Sequence, residues 1–167
     1  MKKWLFIPIV FVLLFCNSRL SLHAISTILL VVEETENEFV PFKEITPFSD
    51  GLFTAMWETP YIFFDMQIDK SIPLFGESLD IRPYMEEVKS SGADSLLLVK
   101  LTYQTYEKKS KLYLKITDIP YLLYSTSEMK LLKSGKKIIN IDKQVENNSK
   151  NQILKDLGLE IVDLIFN

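Results

Sequence analysis

The chain has 167 residues, 47% of them hydrophobic, with 19 basic and 22 acidic residues, a net charge of −3. That apolar share supports a real core and argues against intrinsic disorder. The slight acidic excess argues against nucleic-acid binding by counterion release, which needs clustered Lys and Arg.

Residues 1–24 read as a secretory signal peptide. Lys2 and Lys3 form a positive start, and Trp4 to Cys16 is a 13-residue apolar run broken only by Pro8. Such a run is too short to span a bilayer, which takes about 20 residues. Leu22-His23-Ala24 offers a small residue for cleavage after Ala24, and Cys16-Asn17-Ser18 offers a second site. A lipoprotein anchored through Cys16 is the lesser alternative, because the bulky Phe15 precedes the cysteine. Cleavage after Ala24 leaves 143 residues, 25–167, enough for one globular domain.

The leader carries Lys2, Lys3 and Arg19 and no acid, so the mature chain holds 16 basic against 22 acidic residues, a net of −6. The leader also carries the chain's one cysteine, Cys16, and its one histidine, His23. The mature chain therefore has neither disulfides nor Cys/His metal sites, and no Cys or His catalysis. The cofactor expectation is none, as is the metal expectation. No second apolar stretch has transmembrane length.

Ile25 to Val32 is continuous and β-branched, and reads as a buried strand. Glu33, Glu34, Glu36 and Glu38 read as a solvated acidic loop; they lack the Gly and Asp/Asn spacing of a calcium loop. Thr46-Pro47 opens a helix near 47–57, with Leu52, Phe53, Met56 and Trp57 on one face. Tyr61 to Met66 reads as a short aromatic strand, and 67–79, with Pro73 and Gly76, as irregular. Asp80 caps a helix near 81–90, in which Ile81, Tyr84, Met85 and Val88 share a face. Gly92 suits the left-handed position after its last turn.

Ser95 to Tyr103 is a strong strand, here placed at 94–104. Glu107-Lys108-Lys109-Ser110 is a polar turn. Lys111 to Asp118 alternates Leu112, Leu114 and Ile116 inward against Lys111, Tyr113 and Lys115, as a hairpin partner does. Pro120 to Thr126 reads as a short strand or crossing segment. Met129 to Asn140 reads as a strand bent or bulged around Ser134-Gly135. Ile153, Leu154, Leu157, Ile161, Leu164 and Ile165 trace a helix near 149–165, with Gly158 inside it allowing close packing on the sheet. The fold class is α/β (α+β): a single mixed sheet, parallel in its first half and an antiparallel hairpin in its second, with about three helices. The expected core is Leu29, Val31, Leu52, Met56, Ile62, Phe64, Met85, Val88, Leu97, Val99, Leu114, Ile116, Leu157 and Ile161.

Two motifs suggest catalysis and fail on context. Ser127-Glu128-Met129-Lys130 and Lys133-Ser134-Gly135 match motifs of penicillin-recognising serine enzymes. Here they lie three residues apart in a β-rich stretch, in a chain too short for that fold. Asp65, Asp69, Asp80, Asp94 and Asp118 could furnish a carboxylate pair, such as Asp65 with Asp94, for a hydrolase acting on envelope glycan. No local spacing specifies one.

The candidate binding residues are Tyr103, Tyr106, Lys108, Lys109, Lys111 and Tyr113, read as an exposed Tyr/Lys ribbon on the hairpin, with Lys115 beside it. Such a surface suits an envelope protein or anionic polymer. The bland reading is protective charge on an edge strand.

Gly51 to Glu58 followed by Tyr61-Ile62-Phe63-Phe64-Asp65 is similar to a pattern in uncharacterised exported proteins of spirochaetes. Ser91-Gly92-Ala93-Asp94-Ser95-Leu96-Leu97-Leu98, then Leu112 to Asp118, resembles the arrangement in the TolB N-terminal, CsgG and LpoB group of periplasmic α/β domains. This resemblance implies an exported, periplasmic, non-enzymatic interaction module and carries over no functional residue. The alternatives are the glycan hydrolase and a structural envelope protein that forms a homo-oligomer through its C-terminal helix or a sheet edge.

Overall fold

A computed structural model describes residues 26–37, 45–65 and 80–167. Its elements are β1 (Thr27–Glu36), α1 (Pro47–Trp57), β2 (Ile62–Asp65), α2 (Met85–Ser91, preceded by a 3-10 turn at Arg82–Tyr84), β3 (Ser95–Lys108), β4 (Lys111–Ser125), β5 (Lys130–Gln144) and α3 (Asn147–Phe166). The leader, Glu38, Met66, Asp69, Pro73 and Gly76 lie outside the described residues.

The five strands form one sheet in the order β2-β1-β3-β4-β5. β1 pairs parallel with β2 and β3; β4 pairs antiparallel with β3 and β5. This is the mixed sheet expected from the sequence. The parallel strands are joined through helices, as parallel pairing requires, and the antiparallel ones through tight turns.

On one face of the sheet, α1 and α3 cover a core that includes Ile28, Leu30, Leu97, Val99, Leu101, Leu114, Ile116 and Ile119. On the other face, among the described residues, Tyr84 and Val88 cover a smaller cluster of Leu29, Val31, Leu96 and Leu98, with Leu122 of β4 at its margin. The sheet is thus sandwiched at β1–β3. Farther out, Thr102, Gln104, Lys115, Thr117 and Lys136 are exposed on that second face.

α1 begins with a capping box: the Thr46 hydroxyl accepts from the Ser49 N–H at 3.1 Å, and the Ser49 hydroxyl accepts from the Thr46 N–H at 2.8 Å. Gly92 ends α2 at φ 69°, the left-handed position anticipated for it. Gly158 packs closely, but on α1 rather than on the sheet. A Cβ there would lie 2.3 Å from the Phe48 carbonyl oxygen, and one on Gly51 would lie 2.0 Å from that of Lys155. The two glycines let the helix backbones touch.

Several expectations need correction. The stretch from Glu33 to Glu36 is not a loop but the end of β1, with Glu33 and Glu34 buried. Charge misled the reading because tertiary partners absorb it: Lys100 lies 3.2 Å from Glu33, and Thr46 bonds Glu34. β4 does not stop at Asp118 but runs on to Ser125. Pro120 is tolerated because the β3–β4 register shifts between Val99 and Tyr103, so a missing N–H falls at an irregularity. β5 is irregular opposite 116–118 and 123–124, not at Gly135. Gly135 instead pairs with Tyr121, whose ring covers it. Ile62 and Phe64 are 48% and 44% exposed, because β2 is an edge strand, and Met85 is only half-buried.

Candidate binding face of the sheet

The β3–β4 hairpin turns on Lys109 and Ser110, both left-handed at φ 53° and 56°. That is the two-residue turn whose twist matches paired strands. It fixes the register Lys108↔Lys111, Tyr106↔Tyr113 and Gln104↔Lys115. Since side chains alternate along a strand, these six residues share the sheet's second face. Tyr106 and Tyr113 stack at 5.3 Å with 15° between the rings, and the Tyr106 hydroxyl donates to Asp142 at 2.7 Å. That bond to Asp142 raises the Tyr106 pKa and holds the phenol as a donor.

Lys108, Lys109 and Lys111 are exposed at the tip of this stack. Lys108 and Lys111 are direct cross-strand partners, and like charges so placed are destabilising. Below the tyrosines, Lys100, Thr102, Gln104, Lys115, Thr117 and Lys136 line a shallow groove of about 380 Å³. Its cations are partly answered: Lys100 pairs with buried Glu33, and Lys136 lies 3.8 Å from Asp118. Among the described residues, the groove and the tyrosine stack form one exposed, polar, mainly cationic surface.

Tyr103 departs from this group. It points to the opposite face and is 4% exposed. Its hydroxyl donates to Glu36 Oε2 at 3.1 Å. Burial, followed by the charges of Glu34 and Glu36, pushes its pKa far up. The odd–even alternation along β3 separates Tyr103 from Tyr106, a signal the sequence already held.

Around Tyr103 lies a polar cluster that sequence reasoning missed. Glu36 Oε1 accepts from Thr105 at 2.8 Å and from Lys150 Nζ at 3.2 Å. Partial burial works to raise the Glu36 pKa, but the bonds from Thr105, Lys150 and Tyr103 bring it below its ordinary value. Burial pushes the Glu34 carboxyl up, against the bond from Thr46. The cluster ties β1, β3, α1 and α3 together.

The carboxylate pair Asp65 with Asp94 is not assembled. Asp94 Oδ2 accepts from both the N–H and the hydroxyl of Thr27, at 2.9 Å each, and these bonds lower its pKa. Asp65 is level with Leu30 and hence with Leu97, two strands from β3. Strand spacing and rise put the two Cα atoms about 14 Å apart. Asp80 binds Arg82 at 2.6 Å and accepts from its backbone N–H, so it braces the start of the 3-10 turn. Lys133 donates to the carbonyls of Leu164 and Ile165 at 2.7 and 2.9 Å, capping α3 rather than serving a serine nucleophile.

Comparison with protein families finds no match, and no curated protein matches the chain. Solved structures do. The PelC dodecamer from Paraburkholderia phytofirmans is similar at TM-score 0.55 and 11% identity, over 83% of this chain and 86% of that one. The hypothetical protein CT253 from Chlamydia trachomatis is similar at TM-score 0.50 and 10% identity, over 84% and 95%. TolB from Acinetobacter baumannii matches at TM-score 0.39 and 10% identity, over 84% of this chain and 27% of that one, too weakly to carry an argument. At such identities the likeness is one of fold, and fold does not fix function. Among the described residues no helix is long and apolar enough to cross a membrane.

Proposed function

We propose that the chain is an exported, non-enzymatic module of the cell envelope, residues 25–167 forming one domain that binds an envelope protein or polymer through its uncovered sheet face. The observation that carries this reading is the Tyr106–Tyr113 stack beside the Lys108–Lys111 pair. A flat aromatic surface next to exposed positive charge supplies contact area and charge complementarity together. The Lys2/Lys3 leader supports export.

The test is a quantitative pull-down from envelope extract with wild type and with Lys108, Lys109 and Lys111 changed to Glu. Loss of the wild-type partner is the expected result. Unchanged recovery means that the lysines only protect the hairpin, and the reading falls.

Self-association is the second reading. It is favoured by exposed apolar side chains at both sheet edges. The PelC structure of like fold is described as a dodecamer.

A further inference from the structure

Apolar side chains gather at the two opposite edges of the sheet. At the β2 edge, Ile62 is 48% exposed and Phe64 44% on one face, and Trp57, 79% exposed, packs against Phe63 on the other. At the β5 edge, Met129 is 75% exposed, Leu131 52% and Leu132 46%. Singly exposed apolar residues need no explanation, but grouped ones mark contact sites.

The registers show how the patches relate. Phe64 pairs with Leu29, Leu29 with Leu96, Leu96 with Tyr124, and Tyr124 with Leu131. One row of side chains thus crosses the five described strands on a single face, from Phe64 at one edge to Leu131 at the other. The patches lie at the same height, facing outward in opposite directions. β5 also runs parallel to β2, because two antiparallel pairings restore the direction of β3. A second copy displaced sideways would therefore set its β2 against β5 in the same parallel sense that joins β2 to β1.

Charge favours unlike edges. β5 carries five lysines against Asp142 alone, partly offset by ion pairs from Glu128, Asp118 and Glu160. The stretch 57–65 holds Glu58 and Asp65 and no basic residue. Lysine-rich edges repel one another, which disfavours β5 on β5. Two different complementary patches make a head-to-tail contact, whereas a two-fold dimer uses one patch twice.

We propose that this chain assembles head to tail, the β5 edge at Leu131 and Leu132 of one copy docking on the β2 edge at Trp57, Ile62 and Phe64 of the next. This rests on the self-association reading above.

The test uses the mature chain, which has no thiol after cleavage at Ala24. Phe64→Cys and Leu131→Cys are made singly and together. The double variant, oxidised, is expected to give a ladder of cross-linked multiples. Each single variant alone is expected to stay uncross-linked, and an equal mixture of the two to give dimers only. Dimers from either single variant would show like-on-like pairing and overturn the proposal. Absence of any ladder, with circular dichroism unchanged, would overturn it too. Sedimentation of the wild type separates the two levels: an oligomer that gives no ladder keeps self-association and removes this contact, and a monomer removes both. A charge variant, Trp57→Glu, provides a check free of thiols, because a head-to-tail assembly shifts to the mass of one chain.

Discussion

Glu34 and Glu36 are two residues apart on β1 and share a face, yet their environments pull them apart. Glu34 is buried, which raises its carboxyl from the ordinary 4.5; Glu36 takes three donors and falls below it. A raised carboxyl holds its proton more tightly folded than unfolded. Its burial therefore costs nothing in acid, and the cost grows as pH rises above 4.5 through the folded value. A lowered carboxyl does the reverse: its contribution is present above 4.5 and is lost as pH falls through the folded value. Glu34→Gln should thus raise the urea midpoint at pH 7 and make no difference at acid pH. Glu36→Gln should lower the midpoint at pH 7, with the difference closing below pH 4.5. Urea melts across that range check both signs. Neither role was legible in the sequence, where Glu33-Glu34-Thr35-Glu36 looks like a solvated run. Only the partners Lys100, Thr46, Thr105 and Lys150, from three distant segments, make it a strand end.

At the scale of elements, Gly158 separates propensity from packing. In an isolated helix Ala in place of Gly gains about 1 kcal/mol. Here the added Cβ would meet the Phe48 carbonyl oxygen at 2.3 Å and the Leu52 nitrogen at 2.6 Å, both backbone atoms. Overpacking of this kind costs about 1–3 kcal/mol. Gly158→Ala should therefore lower Tm, and Gly51→Ala likewise, as differential scanning calorimetry would read. A rise in Tm would show that the α1–α3 crossing is looser than described. The same helix pair shows how far periodicity carries. The apolar stripe from Ile153 to Ile165 announces α3 and its buried face, and Leu154, Leu157, Ile161 and Ile165 are indeed buried. It says nothing of what that face meets.

For the whole molecule, the export reading is tested by intact mass. The chain recovered after secretion should start at Ile25 and lack residues 1–24. A mass including Met1, or one with a diacyl group on Cys16, would overturn cleavage at Ala24. The outer face of β3–β5 and the two sheet edges assign different surfaces to different partners. Substituting the hairpin lysines should leave the head-to-tail ladder intact, while Trp57→Glu should leave partner recovery through the hairpin intact.

The sequence by itself determined the elements: alternation marks β4, a β-branched run marks β1, a leucine-rich apolar run marks β3, and Thr46-Pro47 and Gly92 mark a helix start and a helix end. These are local rules, set by backbone sterics and by one-sided burial, and each needs only a few neighbouring residues. The tertiary structure decided what no local rule reaches. It buried the acidic end of β1, turned Tyr103 inward while Tyr106 stayed out, left Ile62 and Phe64 on an edge, and parted Asp65 from Asp94. Each of these outcomes depends on strand order and on which face a helix covers. Those are settled by contacts between segments dozens of residues apart, whose free energy appears only when the sheet is complete.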